Sequence, residues 1–531
     1  MSYYKYELTI DKILEAGVSA FPTREITYRG IRRYTFEKFS DSVKRLITGL
    51  RKLGVNKGDR IALIDWDTDV YLHAYYAIPM LGAVLHTVNI RYPPELILKT
   101  IIAAEDKWII VRDEFLPLIE KAKNLLPRNV QIIAYNENKE PVKGYIDFWQ
   151  LLQEEPTENF DLNENMQATI FFTSGTTGDP KGVWFTHRDI VLHTLCVALT
   201  FSRPPTFITP NDVFMILVPM FHVHAWGLPY LFVINGNKYV LPGKYDYGLL
   251  LKIMQDEGVT FSAMVPTILH MLLSHPEASK YAHVFRKWKV VIGGSALSEG
   301  LAKKAKELGI TVLAGYGLSE TCPVLTVGYY NSLLDNADEE TKFKEQITAG
   351  VPIPLVNLKI MNPSTGEILP KGKVGEIVAR SPWLTREYYR DPAKTEELWK
   401  YGWLHTGDLG YIDEYGYVRI VDRIKDAVKS GGEFIPTLIL ENIISLHPSV
   451  AQVAVVGAKD EKWGERPVAF IVPKEKFEEK EIREFLKDMV RQGKIQDWWI
   501  PDKFIVIDSM PLTSTNKIDK KALRERLEKL S

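Results

Sequence analysis

The stretch Thr169-Ile-Phe-Phe-Thr-Ser-Gly-Thr-Thr-Gly-Asp-Pro-Lys-Gly-Val-Trp-Phe-Thr-His187 carries the densest chemistry in the chain. A strand-like apolar run enters a loop with hydroxyls at Thr173, Ser174, Thr176 and Thr177, glycines at 175, 178 and 182, and Lys181. Glycines let the backbone approach an oxyanion closely, N–H and O–H groups donate to it, and lysine adds a compact cation. The spacing Gly175-x-x-Gly178-x-x-Lys181, with no Ser or Thr after the lysine, departs from the G-x-x-x-x-G-K-[ST] loop of the P-loop NTPases. A plain polar turn before a helix capped by Thr186, with Asp189 three residues on, accounts for Thr186. It does not account for four hydroxyls, three glycines and a lysine together, so the segment reads as a phosphate cradle.

Further along stand Tyr316-Gly-Leu-Ser-Glu-Thr321, Leu404-His-Thr-Gly-Asp408, Asp422-Arg-Ile-Lys-Asp426 and Pro511-Leu-Thr-Ser-Thr-Asn-Lys517. Each is unremarkable alone: Asp408 sits in a turn sequence, Glu320 at a helix-start position, Lys517 in a polar loop. Together with the first segment they resemble, in order and spacing over nearly the whole chain, the acyl-adenylate-forming enzymes. That family includes acyl-CoA synthetases, coumarate-CoA-type ligases, beetle luciferases and peptide-synthetase adenylation domains. The resemblance implies a two-step reaction: a carboxylate attacks the α-phosphate of ATP, giving acyl-AMP and pyrophosphate, and the thiol of coenzyme A then displaces AMP. Charge neutralisation and positioning matter most in such an attack of one anion on another.

The same resemblance implies roles. Thr173, Ser174, Gly175, Thr176, Thr177, Gly178 and Lys181 hold the β- and γ-phosphates, and Glu320 is the Mg²⁺ ligand, a carboxylate suited to a hard cation. Tyr316 stacks on adenine, Thr321 touches the α-phosphate, and Gly294, Ser295, Ala296, Gly315 and Gly317 lie beside nucleotide and acyl carboxylate. Asp408 accepts from the ribose hydroxyls, with Arg423 and Ile420 alongside. Lys517 bridges the attacking carboxylate and the α-phosphate. Lys425 is a hinge about which a smaller domain turns, withdrawing Lys517 and presenting Lys429, Gly431 and Gly432 for thioester formation.

For the acid, Gly317 stands where acetyl- and propionyl-CoA synthetases carry a pocket-closing tryptophan, which implies a deeper slot. The run Pro219-Met-Phe-His-Val-His-Ala-Trp-Gly-Leu-Pro229 resembles bacterial long-chain acyl-CoA synthetases, giving His222, Val223 and a gating Trp226 as acyl-pocket residues. Phe434 replaces a tryptophan usual in that branch. The implied substrate is a medium- or long-chain fatty acid, the alternative an aromatic, hydroxy or branched acid. An amino-acid-activating domain is disfavoured, because Met220 to Trp226 holds no acidic residue to meet an α-amino group and the chain stops soon after Lys517. A luciferase shares every motif but is a specialised outcome. A non-catalytic nucleotide sensor is disfavoured by the presence of Lys181, Glu320 and Lys517.

These residues need a scaffold, and the hydrophobic pattern supplies one. Thr35 reads as a helix N-cap before apolar positions at helical spacing as far as Gly54, then Arg60–Asp65 as a strand, Tyr71–Leu81 as a helix closed by Gly82, and Val84 onward as a strand. The alternation continues through Gln131, Thr169, Phe214, Phe261 and Val290, the signature of sheets covered on both faces. Short strands and turns follow from about Val356, and a smaller mixed unit after Asp422. The expected fold is α/β: a body over residues 1–422 made of two α/β sheets and a small β-rich subdomain, and a mobile α+β domain over 423–531. With 531 residues, 66 Lys+Arg, 67 Asp+Glu and two cysteines, the chain offers no electrostatic case for nucleic acid and no disulfide framework. Val213–Ile234 lacks charge, yet its prolines and histidines fit a buried strand, loop and helix better than a membrane span. With no signal peptide visible at the start, the expected location is cytoplasmic. The expected partners are a carboxylic acid, ATP and coenzyme A, with a homodimer neither supported nor opposed.

Overall fold

A computed structural model describes residues 4, 6–122, 124–127, 129–173, 180–424, 426–431, 433–474, 477–513 and 517–529, with the side chains of Ala122, Lys429, Glu433 and Phe434 left aside. Two large sheets form the body. One has seven strands in the order Ile146–Asp147, Gln131–Tyr135, Trp108–Arg112, Arg60–Ile64, Val84–Thr87, Gln167–Thr173 and Lys181–Thr186. The other has nine, running from Val351–Pro352 through Val324–Val327, Thr311–Gly317, Lys289–Ile292, Phe261–Met264, Val213–Met215, Lys238–Leu241 and Glu25–Tyr28 to Arg32–Thr35. Most neighbours are parallel, so helices cover the faces and the strands are buried on both sides.

Local chemistry sets the helix ends. Thr35 accepts from Lys38 N to open Phe36–Lys52, and Thr68 accepts from Tyr71 N to open Asp69–Leu81, which Gly82 ends at φ +91°. Thr186 and Asp189 form a full capping box at His187–Phe201. The uncharged Val213–Ile234 stretch divides into a short strand, a turn and the helix Leu228–Asn235. Among the described residues no helix is long and apolar enough to cross a membrane.

A four-stranded antiparallel sheet (Asn357–Met361, Gly375–Arg380, Leu404–Ile412, Val418–Arg423) follows the body. Beyond it, Val428–Ser430, Glu433–Ile435, Val450–Asp460, Gly464–Pro473 and Lys503–Val506 form a separate sheet flanked by Thr437–Ser445, Glu479–Arg491 and Lys520–Glu528. This C-terminal unit has its own apolar core around Val455, Ile471 and Leu486. It meets the body where Glu299 N donates to Asn442 Oδ1 at 2.8 Å and where Gly300 faces the Ser445 carbonyl.

Candidate active site

A cleft of about 1910 Å³ runs between body and C-terminal unit and collects most of the sequence-predicted residues: Thr173, Lys181, His222, Trp226, the Gly294–Ala296 turn, Gly315, Tyr316, Gly317, Glu320, Asp408, Ile420, Arg423 and Lys517. Ser174, Gly175, Thr176, Thr177, Gly178, Lys425 and Gly432, and the side chain of Lys429, lie outside the described residues. The phosphate loop connects two antiparallel strands, with Thr173 opposite Lys181, rather than a strand and a helix.

On the phosphate side, Tyr388 joins two expected residues that sequence spacing leaves unconnected. Its hydroxyl donates to Glu320 Oε1 at 2.7 Å, and the Lys181 ammonium lies 4.7 Å from the centre of its ring. On the ribose side, sheet register sets Asp408 opposite Arg423. Arg423 Nε stands 3.2 Å from Asp408 Oδ1, and the Tyr316 hydroxyl donates to Asp408 Oδ2 at 2.7 Å. The carboxylate thus ties the nine-stranded sheet to the four-stranded one.

Lys517 arrives from the C-terminal unit on a loop closed by Thr513 N donating to Lys517 O at 2.7 Å and Lys517 N donating to Thr513 Oγ1 at 3.2 Å. Its Cε lies 3.1 Å from where a Cβ on Gly294 would stand. Burial, helped by the charge of Arg423, lowers its pKa to about 8, with Asp408 and Glu320 pulling the other way. Burial and the facing Lys517 hold His222 neutral, with its pKa lowered to about 3.

The segment carrying Trp226 has an unusual backbone. Val223, His224, Ala225, Trp226 and Gly227 all have positive φ (37°, 58°, 45°, 62° and 76°), one turn of left-handed helix. At 1–2 kcal/mol per residue, the four non-glycines cost about 4–8 kcal/mol. The seven-stranded sheet and its helix hold the turn from behind. Met220 N donates to Asp67 Oδ1 at 2.7 Å, the Tyr75 hydroxyl donates to Met220 O, and Thr87 Oγ1 donates to Phe221 O at 3.0 Å. His224 Nε2 shares a hydrogen bond with Thr169 Oγ1 at 2.7 Å. The Trp226 ring then packs on Gly293, where a Cβ would lie 2.9 Å from it.

Three expectations change. Thr321 is fully buried, its hydroxyl donating to the carbonyls of Leu318 and Pro323, so it pins the backbone; Ser319 lines the cleft in its place. Val223 is buried in the left-handed turn and does not line the cleft. Gly431, expected at the site only once the smaller domain turns, donates its N–H to the Trp463 carbonyl at 2.8 Å. Gly317 lines the cleft, but a Cβ there would stand 1.8 Å from the Pro323 carbonyl oxygen. Close approach to the adjoining strand therefore demands glycine, and the missing side chain does not deepen the slot. Tyr388, Asp67, Tyr75 and Thr87 were invisible to motif reading, since only the fold brings them to the site, whereas Ser319 stood inside the Tyr316–Thr321 motif and was passed over.

A cleft whose lining comes from two units, with a lysine of the second crossing onto the glycine turn of the first, defines an enzyme that completes its active site by docking one domain on another. The AMP-binding enzyme family matches residues 14–389 and the AMP-binding enzyme C-terminal domain matches residues 440–517; the chain belongs to the AMP-binding enzymes. It is 38% identical to a long-chain-fatty-acid–CoA ligase of Thermus thermophilus, over 98% of this chain and 96% of that protein. It is 33% identical to a medium-chain-fatty-acid–CoA ligase of Ectopseudomonas oleovorans, again over 98% of this chain and 96% of that one. Its fold matches the crystal structure of the anthranilate CoA ligase AuaEII in complex with anthranoyl-AMP, with a TM-score of 0.87 at 23% identity, covering 100% of this chain and 99% of that one.

Proposed function

We propose that this chain is an ATP-dependent acyl-CoA ligase for a medium- or long-chain fatty acid, forming acyl-AMP and pyrophosphate and then acyl-CoA and AMP. The observation that carries the reading is Lys517 lying over Gly294 in the cleft that also holds Glu320 and Asp408. A cation there neutralises the approach of a carboxylate to a phosphate, which is the main obstacle to the first half-reaction. Asp408 and Arg423 orient the ribose, Tyr316 packs against the base, and Lys181 faces the departing pyrophosphate. The apolar arm beyond Trp226 takes the acyl chain, and His222, held neutral, adds no charge near the acid.

Among the described residues no cluster of three or more metal-ligating side chains exists. A single carboxylate, Glu320, fits an ion that takes most of its ligands from substrate phosphates and water, as Mg²⁺ does. When bound there, Mg²⁺ supplies positive charge that eases nucleophilic attack on the α-phosphate.

The position of Lys517 in the cleft supports a reading in which this arrangement serves the first half-reaction. A rotation of the 423–531 unit about Lys425 withdraws Lys517 and presents Lys429 and Gly431 for thioester formation. A cytoplasmic location is part of this reading and is tested by fractionation; light scattering decides between a monomer and a homodimer. The function itself is tested by pyrophosphate release with ATP and Mg²⁺ over straight-chain acids from acetate to stearate, with and without coenzyme A. Sustained turnover that requires coenzyme A supports the reading. Turnover with aromatic, hydroxy or branched acids alone moves the substrate to the alternative, and no turnover with any carboxylate refutes the ligase.

A further inference from the structure

The apolar arm of the cleft has a definite floor. Register sets Ala263 beside Val291 on parallel strands and Gly315 opposite Val327 on antiparallel ones. Because side chains alternate along a strand, Gly293 and Val291 share a face. A Cβ on Gly315 would stand 3.7 Å from Val291 and 3.8 Å from Val327, which puts these positions around one gap. Ala263, Val291, Gly293, Gly315 and Val327 all line the cleft. Small residues on one face of a sheet leave a slot between the sheet and the helix covering it.

The helix His187–Phe201 packs on the strand Val324–Val327 and brings its last residue, Phe201, to the cleft. At its middle, His193 Nε2 accepts from Val324 N at 3.2 Å, and Val324 is the register partner of Gly317. Eight residues on, about 12 Å further at 1.5 Å per residue, Phe201 reaches the cleft lining while only 2% exposed. Its ring packs on Phe261 at 5.6 Å between centroids, and Phe261 packs on Phe214 at 4.5 Å. Phe261 lies one same-face step below Ala263 on its strand. The arm therefore passes Trp226 and Gly293 at its neck and Ala263, Val291 and Val327 in its middle, and ends on Phe201 backed by two more rings.

We propose that Phe201 is the chain-length ruler of this enzyme: the terminal methyl of the preferred acid abuts its ring, which sets the optimum at medium-length straight chains and refuses longer ones. This rests on the acyl-CoA ligase reading above. Acids that stop short of the ring leave the slot partly empty, and acids that overrun it must displace a phenyl ring locked by its neighbours, so activity peaks at one length.

The test compares the native chain with Phe201→Ala, Phe201→Leu and Val327→Phe, using straight-chain acids from butyrate to stearate. It reads kcat/KM for pyrophosphate release with ATP and coenzyme A, and binding of the same acids by calorimetry. The native enzyme should fall off sharply beyond decanoate. Phe201→Ala should move the optimum to longer acids, gaining about fourfold in kcat/KM for each methylene newly taken in, the equivalent of ~0.8 kcal/mol per CH₂. Phe201→Leu should move it the same way by less, and Val327→Phe should move it to shorter acids, with KM for ATP unchanged throughout. Native activity undiminished on palmitate and stearate, or variants that turn over with an unshifted profile, overturns the ruler and leaves the ligase standing. Absent turnover, with binding whose length limit still follows residue 201, overturns the ligase reading and keeps the ruler. Binding of no straight-chain acid overturns both.

Discussion

The side chain of Lys517 lies on Gly294, its Nζ 3.7 Å from the point a Cβ on that glycine would occupy. Gly294 has φ +78°, so it makes the glycine turn possible and leaves the space the lysine fills. Alanine at 294 would strain the backbone and push Lys517 outward. Gly294→Ala should lower carboxylate-dependent pyrophosphate release by about 10–100-fold, the cost of a misplacement near 1 Å. Thioester formation from supplied acyl-AMP should change much less. Stopped-assay measurement of the two half-reactions checks this, and an equal fall in both would contradict it.

The same lysine sets a pH limit. Burial lowers its pKa to about 8, and adenylation needs the charged form. The first half-reaction should therefore decline as pH rises through about 8, while thioester formation lacks that limb. The stability effect runs the other way. Between about 8 and the ordinary lysine value of 10.5 the unfolded chain keeps a proton that the folded chain has lost, so this group makes the fold more stable as pH rises through that window. A pH–rate profile of pyrophosphate release that stays level across the window would contradict the assignment.

Gly317→Ala would drive a Cβ to 1.8 Å from the Pro323 carbonyl oxygen. The strand pair carrying Tyr316 and leading to Ser319 must shift, costing about 3 kcal/mol of stability and weakening ATP binding through Tyr316. Thermal unfolding and nucleotide titration check this. Unchanged stability with an altered acid preference would restore the simpler view that Gly317 only makes room in the slot.

Asp67 holds the acyl side from a distance. Removing its carboxylate leaves the buried Met220 N–H unpaired and loosens the segment leading into the left-handed turn. Asp67→Ala should cost about 1–3 kcal/mol and raise KM for the acid while KM for ATP stays put. Asp67→Asn, which keeps an acceptor for Met220 N, should restore the acid KM. If both variants raise both KM values alike, Asp67 supports the fold and does not position the acyl site.

That Thr173, Lys181, Tyr316, Asp408, Arg423 and Lys517 would gather in one cleft was legible in the order and spacing of their motifs, while the body of the glycine-rich loop lies outside the described residues. The α/β body was legible because buried parallel strands are continuous apolar runs, punctuated by the Thr35 and Thr186 caps and by Gly82; the Thr68 cap, which starts its helix at Asp69 ahead of the expected Tyr71, was not read. The left-handed turn at 223–227 was not legible, since four of its five residues have no preference for positive φ, and its support comes from distant elements: Thr169 bonds His224, while Asp67, Tyr75 and Thr87 bond Met220 and Phe221 just before it. Tyr388 escaped notice because nothing local marks a tyrosine that will bridge Lys181 and Glu320. Thr321 misled for the opposite reason: a hydroxyl inside a functional motif was spent on the backbone of Leu318 and Pro323, while Ser319 two residues earlier faces the cleft.

In the proposed function one cleft runs two half-reactions and Lys517 serves only the first. Its most direct test is Lys517→Ala, assayed separately for acid- and ATP-dependent pyrophosphate release and for acyl-CoA formation from supplied acyl-AMP. The first should be lost and the second largely kept. Loss of both to the same degree, in a variant that still folds and binds ATP, would contradict it.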